Sequence, residues 1–232
     1  MAAPGRVLIW DFDGTIGHRP GHWSGAIADA LTDVLGPHEF SRAVISAEIR
    51  GGFPWHSPEV PHPLLADGDA WWRHLGRVLA AAIGRLGVAS AAAAAAADRV
   101  RLHYTDPASW QLFPDTVPTL AALSGLGWRH VLLSNHVPEL PEIVTGLGLG
   151  RYFNVIVNSA ATGYEKPHPQ AFRLALERAG WPASAWMIGD NPVADVAGAA
   201  AAGLRAILVR TAPADGSRHV PDLAEVIGLV GD

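Results

Sequence analysis

The stretch Val7-Leu8-Ile9-Trp10-Asp11-Phe12-Asp13-Gly14-Thr15 joins an apolar run of strand length to two carboxylates and a glycine. Four consecutive apolar residues ended by a turn signal predict a strand buried on both faces. Side chains two apart on an extended chain point the same way, so Asp11 and Asp13 can share one site at the strand tip. Two carboxylates that close repel each other unless a cation lies between them or one keeps a proton. The pair therefore suggests a divalent metal, and a metal beside a carboxylate is machinery for phosphate chemistry. Gly14 permits a sharp turn close to a ligand, and Thr15 adds a hydroxyl and an N–H. A plain strand followed by an Asp-Gly turn has the same local pattern, so the rest of the chain must decide.

Beyond Thr15 the character changes. From Ile16 to Ser109 the periodicity is helical, with no convincing strand. Helices are expected over Gly25 to Leu35, Ser41 to Ile49, Asp69 to Leu86 and the Ala-rich run from Ser90 to Leu102, since Ala loses least on entering a helix. A Pro- and His-rich loop, Gly51 to Pro63, is expected to be exposed. From Trp110 strand and helix alternate. Strands are expected at Arg129 to Leu133, Val155 to Val157, Trp186 to Ile188 and Ala206 to Val209. Helices are expected at Val117 to Leu126, Pro138 to Leu147, Pro169 to Ala179, Val193 to Ala202 and Pro221 to Leu229. Short apolar strands separated by ten-residue helices predict an α/β fold with a doubly wound parallel sheet. The helical block is then an insertion: residues 1–15 and 110–232 form the core, and 16–109 an all-helical cap.

The 232 residues include no cysteine, which excludes disulfides, zinc-thiolate sites and thiol nucleophiles. A formal net charge of -5 argues against a nucleic-acid surface. The start of the chain, Met1 to Arg6, lacks a signal-peptide apolar region, and Val7 to Trp10 is far too short to span a membrane. A cytoplasmic protein without a membrane partner, monomeric or homodimeric, is the expectation.

Ligands of such sheets bind beyond the carboxyl ends of the strands. After Val131-Leu132-Leu133 come Ser134 and Asn135, with Pro138 suited to the first turn of the next helix, where an anion is favoured. After the next strand the chain runs to Lys166, the one lysine among seventeen basic residues. After Trp186-Met187-Ile188 come Gly189-Asp190-Asn191-Pro192, then Asp195. Ser134, Asp190 or Asp195 alone would read as a helix cap. In this order, each after a strand, they read as one site.

The ordered set Asp11-Phe12-Asp13-Gly14-Thr15, Ser134-Asn135, Lys166-Pro167 and Gly189-Asp190 with Asp195 resembles the four motifs of the haloacid dehalogenase superfamily. The resemblance covers roughly Arg6 to Thr15 and Trp110 to Val209, and it implies a Rossmann-like core. It implies that Asp11 is the nucleophile, forming an aspartyl-phosphate, and that Asp13 is the general acid and base. Thr15 and Ser134, with Asn135 beside them, would bind the phosphoryl oxygens. Lys166 would offset negative charge. Magnesium would be held by the Asp11 carboxylate, the Asp13 main-chain carbonyl and Asp190, with Asp195 orienting waters or Lys166 and Asn191 a weaker candidate for that role.

The implied activity is hydrolysis of a small phosphorylated metabolite. The superfamily's dehalogenases have no leaving alcohol to protonate and do not carry the second aspartate, so Asp13 favours phosphate esters. Its phosphonate-cleaving members need a cap lysine, and residues 16–109 contain none. A phosphomutase, or a phosphate-binding protein without turnover, are the alternatives. Candidate substrate contacts in the cap are His18, Arg19, His22, Trp23, Arg50 and the Trp71-Trp72-Arg73-His74 cluster, with Trp71 or Trp72 expected in the core. His136 is the candidate beside the core site.

Overall fold

The computed structural model describes residues 5–212 and 219–230. Residues 1–4 of the expected leaderless start, and 213–218 and 231–232 of the expected core segment, lie outside the described residues. Strand β1 (Arg6–Trp10) leads to a two-residue strand β2 (Gly17–His18) and then to helices α1 (His22–Leu35), α2 (Arg42–Glu48), α3 (Gly68–Arg85) and α4 (Ser90–Thr105). A two-residue β3 (Gln111–Leu112) precedes α5 (Thr116–Gly125), β4 (Trp128–Ser134), α6 (Leu140–Gly146), β5 (Phe153–Asn158), α7 (Ser159–Thr162) and α8 (Pro169–Arg178). The chain ends with β6 (Ser184–Gly189), a π-turn Pro192–Ala197 running into α9 (Gly198–Ala201), β7 (Arg205–Val209), β8 (His219–Val220) and α10 (Val226–Val230).

Six strands form one parallel sheet in the order β5-β4-β1-β6-β7-β8. The two-residue alternation of β1 serves two cores. Val7 and Ile9 pack with Val131, Leu133, Met187 and Phe172 of α8 on one face. Leu8 and Trp10 face Leu132, Ile188 and residues of α5, α6 and α10 on the other, in a core that continues into the helical insert. Both faces are therefore covered, as an all-parallel sheet requires. Trp10 pairs with Leu132 on one side and Ile188 on the other, so the tips of β1, β4 and β6 lie level. That register brings Asp11, Ser134 and Asp190 to one edge.

In the insert, Ala93, Ala96, Ala97, Val100 and Tyr104 form the buried stripe of α4, at helical spacing. The three alanines let α4 lie close against α1 and α3. Ser41 and Asp67 accept from main-chain N–H groups at the starts of α2 and α3.

Several expectations are corrected. The insert's root is a two-stranded ribbon: β2, within the 16–109 stretch read as strand-free, pairs antiparallel with β3 just beyond it. The 51–63 loop is only partly exposed, because Phe53 and Pro54 turn inward and Phe53 packs on Trp23. Helix α6 begins at Leu140, so Pro138 precedes it. The Asn158 amide donates to the Val137 and Pro138 carbonyls (2.6 and 3.4 Å), holding that segment as a loop after Ser134. The last helix spans only Val226–Val230, because the Asp115 carboxylate accepts from Leu223 N–H at 2.7 Å and fixes the preceding residues as a turn.

His130, buried in β4, accepts from Trp10 Nε1 at 3.0 Å, so its Nδ1 carries no proton. Burial pushes its pKa down to about 4 from 6.5. Below pH 6.5 the unfolded chain takes up a proton that the folded chain refuses, so this stabilisation is full above 6.5 and is lost as pH falls towards 4. Urea unfolding should show a loss between pH 7 and pH 5 that is about 2 kcal/mol larger for the wild type than for His130→Asn. Equal losses would contradict a neutral buried imidazole.

Candidate active site

The sheet's carboxyl edge gathers four aspartates around one ammonium. Lys166 Nζ lies 2.8 Å from Asp11 Oδ1 and 2.6 Å from Asp195 Oδ1, and all three are buried. Burial alone would pull the Lys166 pKa down, but the two carboxylates hold it above the usual lysine value. Asn135 fixes the main chain of Lys166 from both sides: its amide donates to the Lys166 carbonyl (2.9 Å) and its Oδ1 accepts from the Lys166 N–H (2.7 Å). The Asn135 side chain is thus engaged in placing the lysine. Asn191 Oδ1 accepts from the N–H groups of Val193 and Ala194 and starts the π-turn that carries Asp195.

Thr15 Oγ1 donates to Asp190 Oδ1 at 3.2 Å, tying the tips of β1 and β6. Gly14 has φ +82°, and a Cβ there would overlap the Asp190 carboxylate, so the turn needs glycine for both conformation and space. Burial, and then Asp11, push Asp190 up to about 6. Carboxylate oxygens of Asp11, Asp190 and Asp195 lie within 4.8 Å of one another. One ammonium cannot balance three carboxylates, and burial pushes Asp195 up to about 7 just as it raises Asp190. That deficit, with an all-oxygen donor set, fits a hard divalent cation.

The phosphate side is equally open to a ligand. Among the described residues, the buried Ser134 Oγ and Asp13 Oδ1 find no hydrogen-bond partner, a costly state unless a ligand or water completes it. Both residues line a cavity of about 440 Å³ whose floor also includes Asp11, Asn135, Lys166 and Asp190. Its roof comes from the insert: His22, Trp23, Trp55, Pro58 and Tyr104. His22 Nδ1 is 3.2 Å from Asp13 Oδ2, and that bond raises the imidazole pKa against the effect of burial.

Of the insert residues singled out in the sequence, His22 and Trp23 reach the cavity. Arg19 is buried in a 2.8 Å ion pair with Asp29. Arg50 pairs with Glu48, and His74 contacts the Gly52 carbonyl. His18 packs on Phe113, while Trp71 and Trp72 belong to the core. Arg73 lines a separate groove with Trp72 and Arg101. His136 is enclosed by Phe12, Tyr104 and Trp110, and burial lowers its pKa to about 4. Its ring lies beside the Val137 main chain.

Sequence reasoning missed Trp55, Pro58 and Tyr104; the aromatic run Phe53-Pro54-Trp55 was the available signal for the first. It also missed a tie between insert and core. His62 donates its N–H to the Gly163 carbonyl at 2.7 Å, and its Nδ1 lies 3.0 Å from Oε2 of the buried Glu165, next to Lys166.

The model of the haloacid dehalogenase-like hydrolases matches residues 6–203, and the chain belongs to that family. It is 41% identical over 102 residues to a phosphoserine phosphatase from Thermus thermophilus, a match covering 43% of this chain and 41% of that enzyme. The chain therefore aligns with less than half of that relative's length. It is 30% identical over 203 residues to a glyceraldehyde 3-phosphate phosphatase from Methanothermobacter thermautotrophicus, covering 84% and 88% of the two chains. Among solved structures, a 2-haloacid dehalogenase from Pseudomonas syringae superposes with a TM-score of 0.67 at 26% identity, covering 98% of both chains.

If the acidic cluster takes up a divalent cation, magnesium chloride should raise the melting temperature of the wild type, because only the folded site binds it. In Gly14→Ala the displaced Asp190 carboxylate should remove most of that rise while far-UV circular dichroism stays native. An undiminished rise would place the cation elsewhere.

Proposed function

We propose that the protein is a magnesium-dependent phosphomonoester hydrolase acting on a small phosphorylated metabolite. The observation that carries this reading is Asp13: it lines the same cavity as Asp11, with one carboxylate oxygen unpartnered and the other against an imidazole. A hydrolase of carbon–halogen bonds has no use for a second acid there. The two phosphatase relatives point the same way.

In this reading an Asp11 oxygen attacks phosphorus, and the bond from phosphorus to the ester oxygen breaks. Protonated Asp13 gives its proton to the departing alkoxide. Asp13, now a carboxylate, takes a proton from water as that water attacks the aspartyl-phosphate, releasing inorganic phosphate and restoring Asp11. Lys166, held by Asp195 and Asn135, offsets charge on Asp11 and on the transferring phosphoryl group. Ser134 Oγ binds a phosphoryl oxygen, while Thr15, which the family resemblance would also place on the phosphate, is buried with its hydroxyl on Asp190 and serves to hold that carboxylate. Magnesium, which the Asp11 and Asp190 carboxylates and the Asp13 carbonyl would hold, supplies further neutralisation of the phosphate charge. Residues 16–109 act as a cap that excludes bulk water while the reactive ester is held. Among the described residues no helix is long and apolar enough to cross a membrane.

Wild-type protein should release phosphate from a generic aryl phosphate only with magnesium, and Asp11→Asn should abolish release. On an alkyl phosphate, whose leaving group needs a proton, Asp13→Asn should lower kcat by roughly 10²–10⁴-fold with KM little changed. Unchanged hydrolysis by Asp13→Asn would sink the acid–base assignment.

A further inference from the structure

The cavity roof has a chemistry of its own. Its ring groups are Trp23, Trp55 and Tyr104 from the insert, joined by Pro58 and, from the opposite rim, Val193. The rings are held in place before any ligand arrives. Trp23 stacks on Tyr104 with centroids 3.9 Å apart and planes 13° off parallel, and Trp55 packs 4.9 Å from Phe53. Such preorganised aromatic surface favours a flat or apolar group at small entropic cost.

Positive charge is scarce on the same walls. Among the described residues the cavity lining includes two basic side chains, Lys166 and His22. Lys166 is committed to Asp11 and Asp195, and His22 to Asp13. The arginines nearest in sequence to the roof residues face other partners: Arg19 to Asp29, Arg50 to Glu48 and Arg101 to Glu139. Asp11, Asp13 and Asp190 already make the floor anionic. A cation and one phosphate use up the charge compensation this site offers. A second anionic group on the substrate would enter an aromatic, carboxylate-rich cavity with no basic partner, and desolvating an unpaired carboxylate is costly.

Building on the phosphomonoesterase reading, we infer that the substrate's leaving group is uncharged and presents a flat or apolar face, which packs against Trp55 and the Trp23–Tyr104 pair. Esters with a carboxylate or a second phosphate beside the scissile bond are rejected. Trp55 is a specificity residue, placed by a loop of the insert.

The test uses non-hydrolysable phosphonates on the full chain with magnesium, read by calorimetry: methylphosphonate as reference, benzylphosphonate and phosphonoacetate. Benzylphosphonate should bind at least tenfold tighter than the reference, and phosphonoacetate more weakly than it. Trp55→Ala should cut the benzyl-to-methyl ratio at least threefold, and Trp55→Phe should keep it. In parallel, kcat/KM for phenyl phosphate should exceed that for phosphoglycolate. Phosphonoacetate binding tighter than methylphosphonate, or a benzyl preference that survives Trp55→Ala, would overturn the inference. A benzyl preference without turnover of any ester would support it and overturn the hydrolase reading instead.

Discussion

The Lys166 ammonium, held between Asp11 and Asp195, is the contact around which the rest of the site is arranged. It crosses from the loop before α8 to the tips of β1 and β6, buried apart from the face it turns to the cavity. Breaking one partner from such a buried pair is strongly destabilising, because a lone charge remains. The surrounding structure accordingly defends the lysine's place. Asn135 fixes its main chain from the tip of β4, and the Asn191 turn fixes Asp195. Yet one ammonium cannot balance the carboxylates assembled there. The remaining charge deficit is the physical reason the site fits a cation and a phosphoryl group.

The helical insert is tied to this centre at two points. At its start, His22 reaches Asp13; in its central loop, His62 grips the strand-to-helix connection that carries Lys166. Burial raises the Glu165 carboxyl, against the pull of His62. The insert's aromatic core is continuous with one face of the sheet, so roof and floor share a single packed interior. A roof held this way is placed to shape what the floor can bind.

The legible part of the site lay in local pattern. Strand tips are marked by where apolar runs stop, and the parallel register then levels those tips, so Asp11, Ser134 and Asp190 could be assigned to one edge from spacing. The illegible part depended on contacts between distant residues. Asn135 reads as a phosphate ligand because it follows Ser134; that its amide serves the Lys166 main chain requires the fold. Trp55 and Tyr104 meet the cavity from a loop and a helix end whose patterns say nothing about facing. Arg19, an attractive anion grip in sequence, is taken by Asp29. The short ribbon β2–β3 was unreadable because two residues carry no periodicity. The last helix was read too long because the Asp115 contact that stops it comes from another part of the chain.

The central claim is that Asp11 carries the phosphoryl group between substrate and water. Rapid acid quench during turnover of an aryl phosphate, followed by mass spectrometry of the peptide containing Asp11, addresses it directly. The account predicts one phosphoryl mass on that peptide in the wild type, an increase in Asp13→Asn as hydrolysis of the intermediate slows, and none in Asp11→Asn. Turnover with no phosphorylated peptide at any quench time, or a phosphoryl group on another residue, would contradict it.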